Sequence, residues 1–249
     1  MRRSGRAVTC VAGLATVTLL APGALAISGQ EVLERVDRKE YSAEDTTAVV
    51  EMELVDKDGT VSKRKMEMYQ KGEEKRLIKF LEPADVKGMA FLDAGDDKMY
   101  LYLPAMHKIR RIAGHVKNDN FAGTDFSFDD LSSEKFTERL QVVGMEESDG
   151  HYLLHLEPKP GTDSQYGKLN MWVRQEDFMF DKIEFYDKSG EKWKVMTRKD
   201  FRDVGQYRQS FWVQMEDLNK SHKTRNIIQS IKCDTGLRSR FFSKRQLKR

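Results

Sequence analysis

The sequence predicts a mainly β protein, in which one antiparallel sheet curls into a barrel or half-barrel with a few helices across its mouth. The first observation behind this prediction is a period of two in the hydrophobic pattern. Apolar residues occupy every second position along residues 50–54, 99–103, 152–156 and 211–215. Such alternation is typical of strands that bury one face, so these segments are predicted strands.

The second observation is a set of turn signals between the predicted strands. The dipeptides Asp-Gly at 58–59 and 149–150 and Ser-Gly at 189–190 lie between alternating segments. Such pairs favour tight hairpins, because glycine readily adopts the positive φ that these turns need. Neighbouring strands are therefore predicted to be antiparallel and connected in sequence order.

The third observation concerns strands that are apolar on both faces. Residues 98–103, KMYLYL, and 169–173, LNMWV, carry apolar side chains on both sides of the predicted strand. A sheet of this kind must be covered on both faces or must wrap around something. Two short helices cannot cover a long sheet, so curling into a barrel or half-barrel is favoured. Flexible methionines inside would suit a variable apolar guest, and a solid core is the alternative.

Two segments carry helix signals. The residues SGQE at 28–31 form a capping box, and apolar residues follow at 32, 33 and 36. This pattern predicts a short amphipathic helix over residues 28–39. The second signal lies in GTDFSFDDL, residues 123–131, which we call the GTDFSFDDL segment. Here Ser127 or Asp125 can cap a first helical turn.

The three carboxylates of the GTDFSFDDL segment raise the possibility of a metal site. A calcium loop of the D-x-[DN]-x-[DN]-G type starting at Asp125 requires glycine at its sixth position and glutamate at its twelfth. The sequence has Asp130 and Phe136 there, so the match fails. At a helix N-terminus, Asp129 and Asp130 would instead be stabilised by free N–H groups. The expectation is no bound metal and no cofactor.

Catalytic signals are weak throughout the chain. His151 and His155 share one side of a predicted strand but lie about 13 Å apart along it, too far to share one zinc ion. No nucleophile elbow, P-loop or dinucleotide-binding glycine pattern is present in the sequence. Cys233 has no sequence mark of activation and is predicted to be a packed small hydrophobe. The sequence therefore predicts a protein that is not an enzyme.

The N-terminus predicts export. Three arginines at 2, 3 and 6 precede an apolar run over residues 7–20, and Ala24-Leu25-Ala26 is an A-x-A cleavage signal. The run is shorter than a membrane span needs. Residues 1–26 are thus a predicted signal peptide, and residues 27–237 a single β domain. Cleavage leaves Cys233 as the only cysteine of the mature chain and so predicts no internal disulfide.

Charge is unevenly distributed. The chain has 43 Lys and Arg against 40 Asp and Glu, and the three signal-peptide arginines account for the excess. Residues 238–249 carry six basic residues and no acid. This basic tail on an acidic body argues against nucleic acid as a partner and favours an anionic membrane surface. The tail is expected to be mobile, and its alternative role is that of a solubilising end.

Three motifs together resemble a known family. These are MYLYLP at 99–104, KIRRI at 108–112 and the GTDFSFDDL segment at 123–131. They resemble the outer membrane lipoprotein-sorting protein family, the LolA-like group of Gram-negative periplasmic carriers, and in particular its uncharacterised branch. The similarity covers most of the mature chain in element order. It implies an unclosed antiparallel β-barrel with helices as a lid over a hydrophobic cavity.

The resemblance and the strand pattern together suggest which residues face the cavity. The predicted lining consists of Met52, Met66, Met68, Met99, Leu101, Leu103, Trp172, Phe180, Phe185, Trp193 and Trp212. The GTDFSFDDL segment is expected at the cavity mouth, where Phe126, Phe128 and Leu131 would pack as a gate or lid.

Function follows as an expectation from the resemblance. It implies a periplasmic carrier that binds lipoprotein acyl chains or another lipid for transfer towards the outer membrane. Its partners would be the acylated cargo, an inner-membrane transporter, an outer-membrane acceptor and, through the basic tail, a membrane surface. The alternative is a lipid-sensing or accessory module of an envelope transport system, which binds without carrier turnover.

Overall fold

One antiparallel sheet organises the chain, and the computed structural model describes it for residues 27–249. The predicted signal peptide, residues 1–26, lies outside the described residues. The strands are β1 (Thr46–Val55), β2 (Val61–Lys71), β3 (Lys75–Glu82), β4 (Ala90–Asp93), β5 (Met99–Leu103), β6 (Lys108–Ile112), β7 (Leu140–Ser148), β8 (His151–Pro158), β9 (Tyr166–Arg174), β10 (Phe180–Asp187), β11 (Lys192–Val204), β12 (Tyr207–Asp217) and β13 (His222–Cys233).

The strand order is that of two meanders joined in the middle. It runs β6-β5-β4-β3-β2-β1-β13-β12-β11-β10-β9-β8-β7, so adjacent strands of the sheet are also neighbours in sequence, except where β1 meets β13. The edge strands β6 and β7 do not pair with each other, and the sheet stays open. The predicted unclosed half-barrel is confirmed. The three predicted turns join β1 to β2, β7 to β8 and β10 to β11.

The first predicted helix is confirmed as α1 (Gly29–Glu40). Ser28 caps it, and its Oγ accepts a hydrogen bond from the Glu31 backbone N–H at 3.2 Å. The buried stripe Val32, Leu33 and Val36 faces the sheet. A Cβ on Gly29 would lie 2.8 Å from a Val142 methyl carbon, so this close approach to β7 requires glycine.

The second predicted helix is wrong. The GTDFSFDDL segment forms turns, and the next helix, α2 (Phe136–Arg139), has only four residues. Ser127 and Asp130 do exchange capping hydrogen bonds, from each backbone N–H to the other's side chain at 2.8 and 3.1 Å. However, Phe126 and Phe128 are both buried, and residues two apart lie on opposite sides of a helix. Burying both rings against the sheet therefore favours the turn conformation.

The main core lies on the inner face of the sheet, the face that α1 and the GTDFSFDDL segment cover. Near β3 and β4 it is a cluster of aromatic rings with centroids 5.6 to 5.8 Å apart, formed by Phe80, Phe91, Phe121 and Phe128. Such spacing is typical of favourable aromatic packing. At this end of the sheet the structure contains a solid core, which is the alternative to a cavity given above.

No helix in the described part of the chain is long and apolar enough to cross a membrane.

The basic tail, residues 238–249, is ordered, and the expectation that it is mobile is wrong. Its Phe242 and Leu247 are 5% and 2% exposed and pack on the outer face against Leu77 and Leu92. Tyr100 of β5 belongs to the same outer cluster. The tail therefore covers the outer apolar face of MYLYLP. The apolar residues on both faces of this strand are thus explained partly by the tail and not only by curling of the sheet.

A buried carboxylate fixes the start of the tail. Asp45 accepts four hydrogen bonds of 2.6 to 2.9 Å, from the Thr235 hydroxyl and from the backbone N–H groups of residues 235–237. Burial opposes ionisation of this group, but the hydrogen bonds prevail and hold its pKa below the usual value. The chain leaving β13 is thereby tied to the start of β1.

Candidate ligand cavity

A cavity of about 290 Å³ lies on the inner face, beside the aromatic part of the core. Its walls come from the end of α1, from residues 126–140 and from the middle strands of the sheet. The apolar lining is formed by Ala43, Val50, Met68, Phe126, Leu131, Phe136, Leu140, Leu169, Phe180, Phe185, Met196, Val213 and Ile228. The size and the apolar lining are typical of small ligand sites.

Charged residues surround the end of the cavity that lies near α1 and α2. Arg198 donates to the Glu40 carboxylate at 2.5 Å and lies over the Phe180 ring at 4.3 Å from its centroid. Arg139 is paired with the carboxylate of Asp129. These ion pairs tie β11 to α1 and α2 to the GTDFSFDDL segment. The positive charges of the two guanidinium groups are therefore largely neutralised by these carboxylates.

Arg76 differs from these two arginines. Its guanidinium donates to the backbone oxygen of Leu131 at 3.1 Å and to the side-chain oxygen of Gln70 at 2.9 Å. Both acceptors are neutral. The Nε of Arg76 is buried and has no hydrogen-bond partner among the described residues. Arg76 thus connects β3 to the gate while one of its donors remains free.

A buried polar cluster holds the GTDFSFDDL segment to the sheet. The Asp125 carboxylate, 1% exposed, accepts from the Thr224 hydroxyl at 2.7 Å and from His222 Nδ1 at 2.7 Å. Lys194, which is fully buried, donates to the Asp125 backbone oxygen at 2.8 Å. Burial lowers the pKa of Lys194, against the opposing effect of Asp130 and other carboxylates nearby.

The remaining carboxylate of the segment faces a tyrosine. Tyr166 donates its hydroxyl to both oxygens of Asp130 at 3.1 Å. Burial, followed by the charge of Asp130, raises the pKa of Tyr166 well above its ordinary value. The hydroxyl therefore stays protonated and remains a donor. Residues 27–249 contain no group of three or more His, Cys, Asp or Glu side chains placed to hold a metal.

Three of the predicted lining residues border the cavity, namely Met68, Phe180 and Phe185. Met52, Met66 and Met99 are instead packed in the main core with 2 to 3% exposure. Leu101 packs against that core, and Leu103 is half-buried at the end of β5.

The three tryptophans do not border the cavity. Trp172 and Trp212 lie on the outer face, where the ammonium groups of Lys182 and Lys199 stand 4.2 and 5.0 Å from their ring centroids. Trp193 packs beside Tyr166 with a centroid distance of 5.8 Å. A tryptophan can bury its apolar surface on either face of a sheet when a lysine side chain covers it. The residue type alone therefore does not predict the outward position of Trp172 and Trp212.

The three predicted gate residues are buried. Phe126 and Leu131 line the cavity, whereas Phe128 packs against the rings of Phe91 and Phe121. The GTDFSFDDL segment is therefore both a wall of the cavity and a plug over the aromatic core.

Sequence reasoning missed the charged residues of the cavity, although a signal for them exists. Arg76 has the same strand parity as the buried Ile78 and Phe80, and Arg198 has that of Lys194 and Met196. A charge at an inward position of an alternating strand interrupts the expected pattern. Such an interruption marks a side chain that must find a polar partner inside the protein.

The histidines and the cysteine considered above have separate surroundings. His151 contacts Asp181 at 2.8 Å, while His155 contacts Asn170 at 2.8 Å and Glu146 at 3.1 Å. Cys233 is half-buried, and burial raises the pKa of its thiol. These groups do not converge on the cavity.

Comparisons with known proteins agree with this architecture. A family model described as "Uncharacterized protein" matches residues 72–249. An outer membrane lipoprotein-sorting protein domain from Vibrio parahaemolyticus is 28% identical, with a TM-score of 0.77 over 87% of this chain and 98% of that one. A DUF1329 family protein from Desulfovibrio piger is 26% identical, with a TM-score of 0.80 over 88% and 97%.

A more distant structure shows the same fold. A LolA superfamily protein from Nitrosomonas europaea is 21% identical, with a TM-score of 0.73 over 89% of this chain and 100% of that one. No curated protein matches the sequence.

Proposed function

The chain belongs to a LolA-like family, and from this premise we propose that it is a periplasmic carrier of acyl chains. It takes a lipoprotein or another acylated lipid from an inner-membrane transporter and delivers it to an acceptor at the outer membrane of a Gram-negative cell. The observation that carries this proposal is the apolar cavity between the sheet and the GTDFSFDDL segment.

Transfer energies explain why such a cavity is useful. Each buried methylene group is worth about 0.8 kcal/mol, so a chain of about 15 methylenes gains on the order of 12 kcal/mol before association costs. Because exposing the chain to water costs this free energy, a lipid does not leave its membrane unaided. A protein that shields the chain gives it a route across the aqueous gap. Release then needs a partner that favours an open gate or binds the lipid more tightly.

Filling the cavity should weaken lipid binding strongly. Val213 lines the cavity on β12 and is half-buried, so Val213→Trp would occupy the space of the acyl chain. We expect affinity for a fluorescent fatty acid to fall at least roughly tenfold, which corresponds to the loss of about two buried methylenes. The matched control is Val143→Trp on the edge strand β7, where Val143 is 51% exposed.

The same proteins test the carrier activity. Wild-type protein loaded with a fluorescent acyl lipid should pass it to acceptor vesicles, and Val213→Trp should not. Circular dichroism of each variant checks that the sheet is intact. Binding without transfer would favour the sensing or accessory module over the carrier. Equal binding by both tryptophan variants would place the lipid outside this cavity and would contradict the proposal.

A further inference from the structure

The walls of the cavity contain three arginines, and their surroundings differ. Arg139 and Arg198 each pair with a carboxylate of this chain, Asp129 and Glu40 respectively. Arg76 has no carboxylate within 4.0 Å among the described residues. Asp93 pairs with Arg76 across β3 and β4, but its carboxylate accepts hydrogen bonds from Gly95 and Ser133 instead. Arg76 is thus the one arginine of the three that forms no ion pair within the described residues.

The Arg76 guanidinium also keeps a donor free. Its two known contacts are to the neutral oxygens of Leu131 and Gln70, and its Nε is buried without a partner. A buried donor without a partner costs free energy, and so does a partly buried charge that forms no ion pair. An oxygen anion at this point would relieve both costs. Arginine forms its strongest hydrogen bonds with carboxylate and phosphate.

The position of Arg76 fits the head of an elongated amphiphile. In the strand register, Arg76 of β3 is opposite Gln70 of β2, and Gln70 is opposite Thr46 of β1. Arg76 and Thr46 therefore lie at the same height along the strand direction. The opposite end of the lining is Asn226, which is level with Met52. Six residues of strand separate these levels, so the lining extends roughly 20 Å along the sheet.

The cavity lining is polar at the Arg76 end and apolar in the middle. The Arg76 end also contains Tyr41, Glu134 and Ser132, of which Glu134 is exposed to solvent. Between the ends lie apolar side chains such as Val50, Met68 and Ile228. An acyl chain can therefore lie along β1 with its head at Arg76 and near solvent.

We propose that Arg76 selects amphiphiles whose head carries an anionic oxygen, either a carboxylate or a phosphate, over neutral amphiphiles of the same chain length. The inference rests on the proposed acyl-chain carrier function and specifies its ligand class. The paired arginines do not contribute this selectivity, because their charges are already compensated within the protein.

The test compares three probes that share one sixteen-carbon chain. Palmitate carries a carboxylate, 1-palmitoyl lysophosphatidic acid carries a phosphate, and monopalmitoylglycerol is neutral. Each is titrated below its critical micelle concentration into the full chain by displacement of a fluorescent fatty acid. Wild-type protein should bind at least one anionic probe roughly tenfold or more tightly than the neutral one. The anionic probe that binds tighter identifies the head as carboxylate or phosphate.

Substitution of Arg76 separates selectivity from structure. Arg76→Met should reduce the anionic-to-neutral ratio to about one while affinity for monopalmitoylglycerol is kept, and Arg76→Lys should retain part of the preference. The matched control is Arg202→Met, because Arg202 lies outside the cavity and is paired with Asp200. It should leave the ratio unchanged.

Two outcomes would overturn the inference. Equal affinity of wild-type protein for anionic and neutral probes would do so and would leave the carrier proposal standing. Equal loss of all three probes in Arg76→Met would mean that Arg76 only supports the gate through Leu131. Failure of the wild-type protein to bind any probe is a different result, since it would contradict the proposed function itself.

Discussion

Truncation after Leu237 is expected to destabilise the protein by about 3 kcal/mol and to make it prone to aggregation. Loss of the basic tail removes the buried Phe242 and Leu247 and exposes Leu77 and Leu92, which are fully buried. Losing a large core side chain typically costs about 2 to 5 kcal/mol, which sets the scale of the expected loss. Urea unfolding and light scattering measure the two effects.

A control separates the apolar anchors from the charges. Arg245, Lys248 and Arg249 are exposed, so replacing all three by glutamine should leave the free energy of unfolding within about 0.5 kcal/mol of wild type. The same triple variant should sediment less with anionic vesicles at low salt, if the tail contacts a membrane as the sequence predicts. Because Phe242 is buried, that contact would be electrostatic. Unchanged stability after truncation would contradict the packing of the tail.

Asp125→Ala is expected to lower the free energy of unfolding by about 3 to 5 kcal/mol. The substitution removes the acceptor of the Thr224 hydroxyl and of His222, and it deprives the buried Lys194 of a nearby negative charge. Breaking a buried polar network by removing one member is costly, because the remaining groups stay buried without partners. The measurement is urea unfolding followed by far-ultraviolet circular dichroism.

Two further variants define what Asp125 contributes. Asp125→Asn keeps an acceptor of the same shape and should lose less stability than the alanine variant. Asp203→Ala removes a carboxylate that is 70% exposed and should change stability by at most about 0.5 kcal/mol. A loss below about 1 kcal/mol for Asp125→Ala would show that the cluster does not hold the GTDFSFDDL segment to the sheet.

The fold was largely predictable because its signals are local. Apolar residues at every second position of 50–54 and Gly-containing turns at 58–59 and 149–150 determine strands and hairpins within a few residues. The capping box at Ser28 likewise determines the start of α1. The pairing of β1 with β13 is not local, because strands separated by the whole domain meet there. The sequence analysis did not predict this pairing.

The second helix and the tail show where local signals fail. The reciprocal capping of Ser127 and Asp130 exists, but the burial of Phe126 and Phe128 against the sheet prevents the helix that it usually starts. The tail has no strand or helix pattern. Its order comes from contacts with Leu77 and Leu92, which are more than 140 residues away in sequence. Tertiary packing thus overrides propensity in both places.

The cavity was predicted as a feature and only partly as a set of residues. Parity assigns a residue to a face of the sheet, yet it does not distinguish the packed core around Met66 from the open space beside Phe185. That distinction depends on where the GTDFSFDDL segment crosses the inner face. The arginines of the cavity can be predicted once the inner face is known, because a charged residue such as Arg76 then occupies a position where the alternation calls for an apolar one.

The most direct test of an acyl chain in the cavity is photo-crosslinking with a palmitate analogue that carries a diazirine near the middle of its chain. After irradiation of the full chain, peptide mass spectrometry locates the labelled residues. We expect saturable labelling, displaced by excess palmitate, on cavity residues such as Leu169, Phe180 and Phe185. Saturable labelling confined to the outer face, at Trp172 or Trp212, would contradict the cavity as the lipid site, and so would the absence of saturable labelling.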